Sequence, residues 1–264
     1  MLEQPPAFPT TVRQPALFIG HGSPLNAIED NPFSRAWTEL GASLARPQAV
    51  LCISAHWQTQ GSLVTAMSAP RTIHDFYGFP AELHAVQYPA SGCPELAELV
   101  RATVGADAVE PDTRWGFDHG AWSVLSRLFP TADVPVVQLS LDVFKTPAEH
   151  YALGKALAPL RRKGVLVLGS GNLVHNLPLA CWEERAFAWA ERFDALVRNS
   201  ITTRDHTSLV HYDNLPEARL AIPTNEHYLP LLYILALREA DEDPAWFCEQ
   251  VTMCSISMRG LRFG

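Results

Sequence analysis

Residues 165–176 read VLVLGSGNLVHN. The apolar run Val165–Leu168 is short and β-branched, as in a strand buried on both faces. It opens into Gly169-Ser170-Gly171, small residues that let backbone approach closely, and then reaches His175. The same pattern stands twice upstream. In ALFIGHGSP (16–24) the strand Ala16–Ile19 is followed by Gly20, His21 and Gly22. In AVLCISAHW (49–57) the strand Ala49–Ser54 runs into Ala55, His56 and Trp57. PVVQLSL (135–141) reads as a further strand, and the alternation in VTMCSISM (251–258) as the final one.

Between these runs lie helical patterns. They cover Asn31–Ala45 with Pro32 at its start, Pro94–Val104, Asp118–Leu128, Cys181–Thr203 and Tyr228–Arg238. Another, Pro147–Arg162, carries Arg161, Arg162 and Lys163 at its C-terminal end, where cations suit the helix dipole. Apolar strands separated by helices predict a three-layer α/β/α sandwich with a largely parallel central sheet. The chain shows no repeat and no break in composition, so residues 1–264 are expected to form a single domain, with the Pro-rich residues 1–14 as a loose arm. A long loop, 71–92, holds Pro80, Pro89 and several aromatics, and reads as a lid over a pocket.

At 264 residues, about 70% of the unfolded chain's surface can be buried, so no staple is needed. The net charge of −8 argues against nucleic acid or an anionic membrane as the main partner. The five cysteines, Cys52, Cys93, Cys181, Cys248 and Cys254, are odd in number and lack a C-x-x-C pair. That predicts no disulfide framework and a reducing compartment. With no basic segment leading an apolar run at the N-terminus, and no stretch of ~18 apolar residues, the expectation is a soluble, cytoplasmic protein.

In open α/β sheets, ligands bind beyond the carboxyl ends of the strands. His21, His56 and His175 all follow strands in this way, and three converging imidazoles suit a borderline divalent metal. A fourth donor is offered by Glu226-His227 in PTNEHYLPLL, a helix start with Thr224 or Asn225 as cap and Pro230 in the first turn. The pattern leaves both the carboxylate and the imidazole open. His119, in WGFDHGAW, stands beside an acid among Trp115, Phe117 and Trp122, and suits a supporting hydrogen-bond role. His74 is a weaker candidate, and His84, His150, His206 and His211 read as structural or solvated. The chain has no G-x-S-x-G, no Walker A, no G-x-G-x-x-G and no H-E-x-x-H, which argues against the hydrolases, nucleotide binders and zinc peptidases built on them.

Six segments occur in order over nearly the whole chain: GHGSP (20–24), SAHW (54–57), IHDFYGFP (73–80), WGFDHG (115–120), GSGNLVHN (169–176) and EHYLPLLY (226–233). Together they resemble the class III extradiol ring-cleaving dioxygenases, in particular the bacterial 4,5-DOPA dioxygenase-like family. The resemblance implies one divalent metal per chain, Fe(II) for activity; by their chemistry the same histidines would also hold Zn(II) tetrahedrally if His175 became the fourth ligand. It implies insertion of both atoms of O₂ into a catechol beside its hydroxyls. It places His21, His56 and His227 on the metal, His175 as acid/base or further ligand, and His119 in the substrate pocket. A facial set of three protein ligands leaves open positions, as Fe(II) oxygenases require. Trp57, Tyr77, Phe117 and Trp122 are expected as stacking walls; Arg114, beside Trp115, reads either as a clamp for a carboxylate tail or as a surface residue, so loose recognition of the tail is expected. The rival readings are a zinc-dependent hydrolase of small amides or esters, and a non-catalytic binding protein on the same fold. The oligomeric state is left open.

Overall fold

The computed structural model describes residues 8–183 and 185–264. Its strands are β1 (Ala16–Gly20), β2 (Ala49–Thr59), β3 (Leu63–Thr65), β4 (Arg71–Thr72), β5 (Glu110–Asp112), β6 (Gly116–Phe117), β7 (Val136–Asp142), β8 (Val165–Gly171), β9 (Ala245–Phe247), β10 (Val251–Thr252), β11 (Ile256–Ser257) and β12 (Gly260–Phe263). Eight of them form one sheet in the order β5-β3-β7-β2-β8-β1-β12-β9. The central four, β7, β2, β8 and β1, are mutually parallel. Antiparallel strands extend it, β12 and β9 beyond β1 and β3 beside β7.

Alternation along the central strands assigns each side chain to a layer. Ala16, Phe18, Leu51, Ile53, Val165 and Val167 face a core closed by helices Pro94–Val104, Ala188–Thr202 and Leu229–Ala236. Leu17, Ile19, Val50, Cys52, Leu166 and Leu168 face the other core, under helices Pro32–Ser43 and His119–Leu128. A sheet apolar on both faces must be covered twice, which yields the expected three layers.

Four local expectations are corrected. VTMCSISM is not one strand: Met253 and Cys254 take left-handed φ of 47° and 64°, which folds the chain back and pairs β10 with β11. The last strand of the main sheet is β12 instead. Second, the predicted helix from Cys181 begins only at Ala188. Before it, Cys181 is bonded to Cys254 in a disulfide, against the expectation of none, and Phe187 N–H donates to the Cys254 carbonyl at 2.8 Å. Third, β2 runs on past Ser54 to Thr59. Fourth, the N-terminal arm is not loose where it is described. Thr11 and Gln14 N–H donate to the carbonyls of Arg162 and Arg161, and Arg13 pairs with Glu239; Met1–Ala7 lie outside the described residues. No helix among the described residues is long and apolar enough to cross a membrane.

Candidate metal centre

The carboxyl ends of β1, β2 and β8 meet a turn leading into helix Leu229–Ala236. The turn lies close because Gly171 lacks a side chain: a Cβ there would stand 2.1 Å from the His227 carbonyl oxygen. That oxygen instead accepts from Asn172 N–H at 2.8 Å, which sets His227 against the end of β8. His21 follows β1, its N–H donating to the Gly171 carbonyl at 3.0 Å. His56 sits where the register of β2 against β7 shifts, between Ile53 and Gln58, an irregularity that re-aims a side chain.

One nitrogen each of His21, His56 and His227 lies within 4.8 Å of the others. Nε2 of His21 and Nε2 of His56 are 3.2 Å apart. What each ring does with its other nitrogen decides the tautomers. Ser170 Oγ donates to the Gly120 carbonyl at 2.6 Å, so toward His21 Nδ1, 3.0 Å away, it accepts. His227 Nδ1 lies 2.9 Å from Glu226 Oε1, a carboxylate also bonded by Thr224 Oγ1 at 3.0 Å. His56 Nδ1 lies 3.3 Å from Asp75 Oδ2. An acceptor beside each Nδ1 favours the proton there, which leaves each Nε2 with a bare lone pair, and the bare nitrogens of His21 and His56 face one another. Two such lone pairs at 3.2 Å repel one another unless a cation lies between them. Metal-bound histidines characteristically donate their second N–H to a carboxylate or other acceptor in this manner. Burial, then the neighbouring imidazoles, hold His21 and His227 well below the usual histidine range. Burial and His119 bring His56 down to about 3, with Asp75 opposing. The rings are thus in the neutral form that ligates metals.

His175 stacks on His227 with ring centroids 3.4 Å apart. It shares a 4.8 Å set with Glu226 and His227, but not with His21 and His56. Burial lowers it to about 4, partly opposed by Glu226. His119 opens helix His119–Leu128, its ring centroid 3.8 Å from that of His56. The neighbouring acid, Asp118, is a buried N-cap: it accepts from Ser54 Oγ at 2.6 Å and Gln138 Nε2 at 2.8 Å, and so pins the helix to β2. The acid that reaches His119 is Asp75, which the sequence reading did not single out. His74 is turned away, with Nε2 2.9 Å from the Val86 carbonyl.

These histidines line a cavity of about 520 Å³. Asp75, Phe76, Tyr77 and Phe79 cover it from the 71–92 loop, and Leu177, Trp182, Met253 and Ile256 from the other side. Of the expected walls, only Tyr77 is among them. Trp57 stacks on Trp115 at 5.6 Å elsewhere, while Phe117 and Trp122 are fully buried core. Arg114 is bonded to Asp112 beside Trp57, away from the histidines. A larger cavity of about 810 Å³ shares Trp182 and Met253, but it is lined by the Arg259–Asp194 ion pair and holds no histidine.

Residues 15–260 match the family described as the catalytic LigB subunit of aromatic ring-opening dioxygenase. An Escherichia coli (strain K12) protein named 4,5-DOPA dioxygenase extradiol is 44% identical, with the match covering 97% of this chain and 96% of that protein. A Beta vulgaris protein of the same name is 40% identical over 81% of this chain and 83% of its own. The crystal structure of an uncharacterized protein from Escherichia coli K12 aligns with a TM-score of 0.84 at 41% identity, covering 96% of this chain and all of that one.

Proposed function

The chain belongs to the LigB family of aromatic ring-opening dioxygenases and is a class III extradiol enzyme; from that premise we propose that it cleaves catechols such as DOPA with O₂ to a ring-opened semialdehyde, at a divalent iron held by His21, His56 and His227. The observation that carries the site assignment is the approach of one ring nitrogen each of His21, His56 and His227 to within 4.8 Å of the others, with Nδ1 of each ring backed by Ser170, Asp75 or Glu226. Iron held by His21, His56 and His227 would supply Lewis acidity and a one-electron partner for O₂.

The protein's own part is to bind, orient and move protons. Three neutral donors leave the cation's charge uncompensated, which favours an anionic catecholate. A ring nitrogen of His175, unprotonated at pH 7, takes the second hydroxyl proton and returns it later. His119 lines the same cavity and bonds a substrate oxygen. Phe76, Tyr77, Phe79 and Trp182 offer flat faces to the ring. The described lining carries no arginine or lysine, so the tail of the substrate is read loosely and several catechols turn over. Glu226 orients His227 rather than binding the metal. Zn(II) fits the same donors but exchanges no electrons with O₂, so a zinc-loaded enzyme is inactive in ring cleavage.

The test is anaerobic loading with Fe(II), followed by O₂ uptake with a panel of catechols. Uptake matched by yellow semialdehyde absorbance is expected. Intact catechols and no uptake would overturn the reading.

A further inference from the structure

We infer that Asp75 is a positioning residue that ties the pocket-covering loop to the metal centre by holding His56 and His119 at once. This rests on the assignment of His21, His56 and His227 as the metal site.

The loop is docked by a two-residue parallel pairing of β4 with β6, Arg71 to Gly116 and Thr72 to Phe117, and by Ile73 N–H donating to the Phe117 carbonyl at 2.7 Å. That register runs residues 73–75 alongside the start of helix His119–Leu128. Asp75 Oδ1 accepts from the His119 backbone N–H at 2.9 Å and lies 3.0 Å from the ring's Nδ1. Oδ2 of the same carboxylate lies 3.3 Å from His56 Nδ1. The Asp75 side chain is only 21% exposed, so its two oxygens are largely committed to these contacts.

Two consequences follow. A carboxylate oxygen 3.3 Å from Nδ1 favours the tautomer of His56 with its proton there, which leaves Nε2 free to bind the metal. The next residues in the chain, Phe76, Tyr77 and Phe79, are cavity wall. The segment that packs on substrate is therefore the segment that orients a ligand. Metal binding and ordering of the wall are coupled, and such coupling is reciprocal.

The experiment compares metal-free wild type, Asp75→Asn, Asp75→Glu and His21→Ala. Zn²⁺ affinity is measured by competition with a chromophoric chelator, and amide hydrogen exchange of residues 73–79 with and without Zn²⁺. In wild type, zinc should slow exchange in 73–79. Asp75→Asn should bind zinc roughly 10–100-fold more weakly, the range for lost outer-shell partners, and lose that protection, with an unchanged metal-free Tm. Asp75→Glu, which keeps the carboxylate, should recover part of both. Wild-type affinity in Asp75→Asn, or exchange in wild-type 73–79 that ignores zinc, overturns the inference alone. A wild type that binds no zinc, or a His21→Ala variant that binds it as tightly, overturns the histidine site and the inference with it.

Discussion

Glu226 Oε1 stands 2.9 Å from Nδ1 of His227, which turns the other ring nitrogen away from the carboxylate. The two residues are neighbours in sequence but take different tasks, and substitution separates them. Glu226→Gln should weaken metal binding by roughly tenfold, as outer-shell losses do, whereas His227→Ala should lose far more by removing a donor; chelator competition measures both, and the reverse order would exchange their roles. His175→Ala should leave metal affinity near wild type and lower kcat by roughly 10²–10⁴-fold, the range for a lost acid/base group. Stopped-flow turnover of the iron-loaded variant checks this. The fold should tolerate the change, because His175 is itself only half-buried, between the buried Val174 and Asn176. At this scale the candidate histidines were legible, because each follows an apolar strand or opens a helix. Asp75 was not, because its place depends on a two-residue strand pairing that carries no periodicity.

Among the elements, the end of β8 shows how a backbone contact serves the site. Gly171→Ala would place Cβ 2.1 Å from the His227 carbonyl, a backbone atom with no rotamer to yield. The turn must then move, and overpacking of this kind costs about 1–3 kcal/mol. The expected result is a lower Tm and weaker zinc binding together; a variant that loses stability but binds zinc normally would show that the turn does not set His227. The long apolar runs β1, β2, β7 and β8 were legible for the same reason that they are central: they are buried on both faces. Strands β3 and β5, three residues each, have too little pattern to read. The hairpin β10–β11 was hidden because Met253 and Cys254, neither of them glycine, occupy the left-handed region while the alternation around them continues. The lid reading held for residues 75–79, but Tyr88 on the same loop is core, its hydroxyl donating to the Phe129 carbonyl at 3.1 Å.

For the molecule as a whole, pH dependence of stability has a source far from the metal centre. His150 is fully buried between helices Pro147–Ala156 and Leu229–Ala236, with Nδ1 2.9 Å from the Tyr233 hydroxyl. Burial lowers it to about 4. Unfolded, the same group titrates near 6.5. Between these values the unfolded chain binds more protons, so stability falls as the pH falls from 6.5 toward 4, by up to about 3 kcal/mol from this group. His150→Gln should flatten that part of the profile relative to wild type, as read from urea midpoints at several pH values. Equal slopes in the two proteins would contradict a buried neutral imidazole.

The most direct measurement is anomalous diffraction from crystals loaded anaerobically with Fe(II). A single metal peak is expected, with Nε2 of His21, His56 and His227 each at about 2.0–2.2 Å, Glu226 bonded only to His227, and His175 outside the coordination sphere. A peak among His56, Asp75 and His119, or the three rings turned apart with no metal between them, would contradict the assignment.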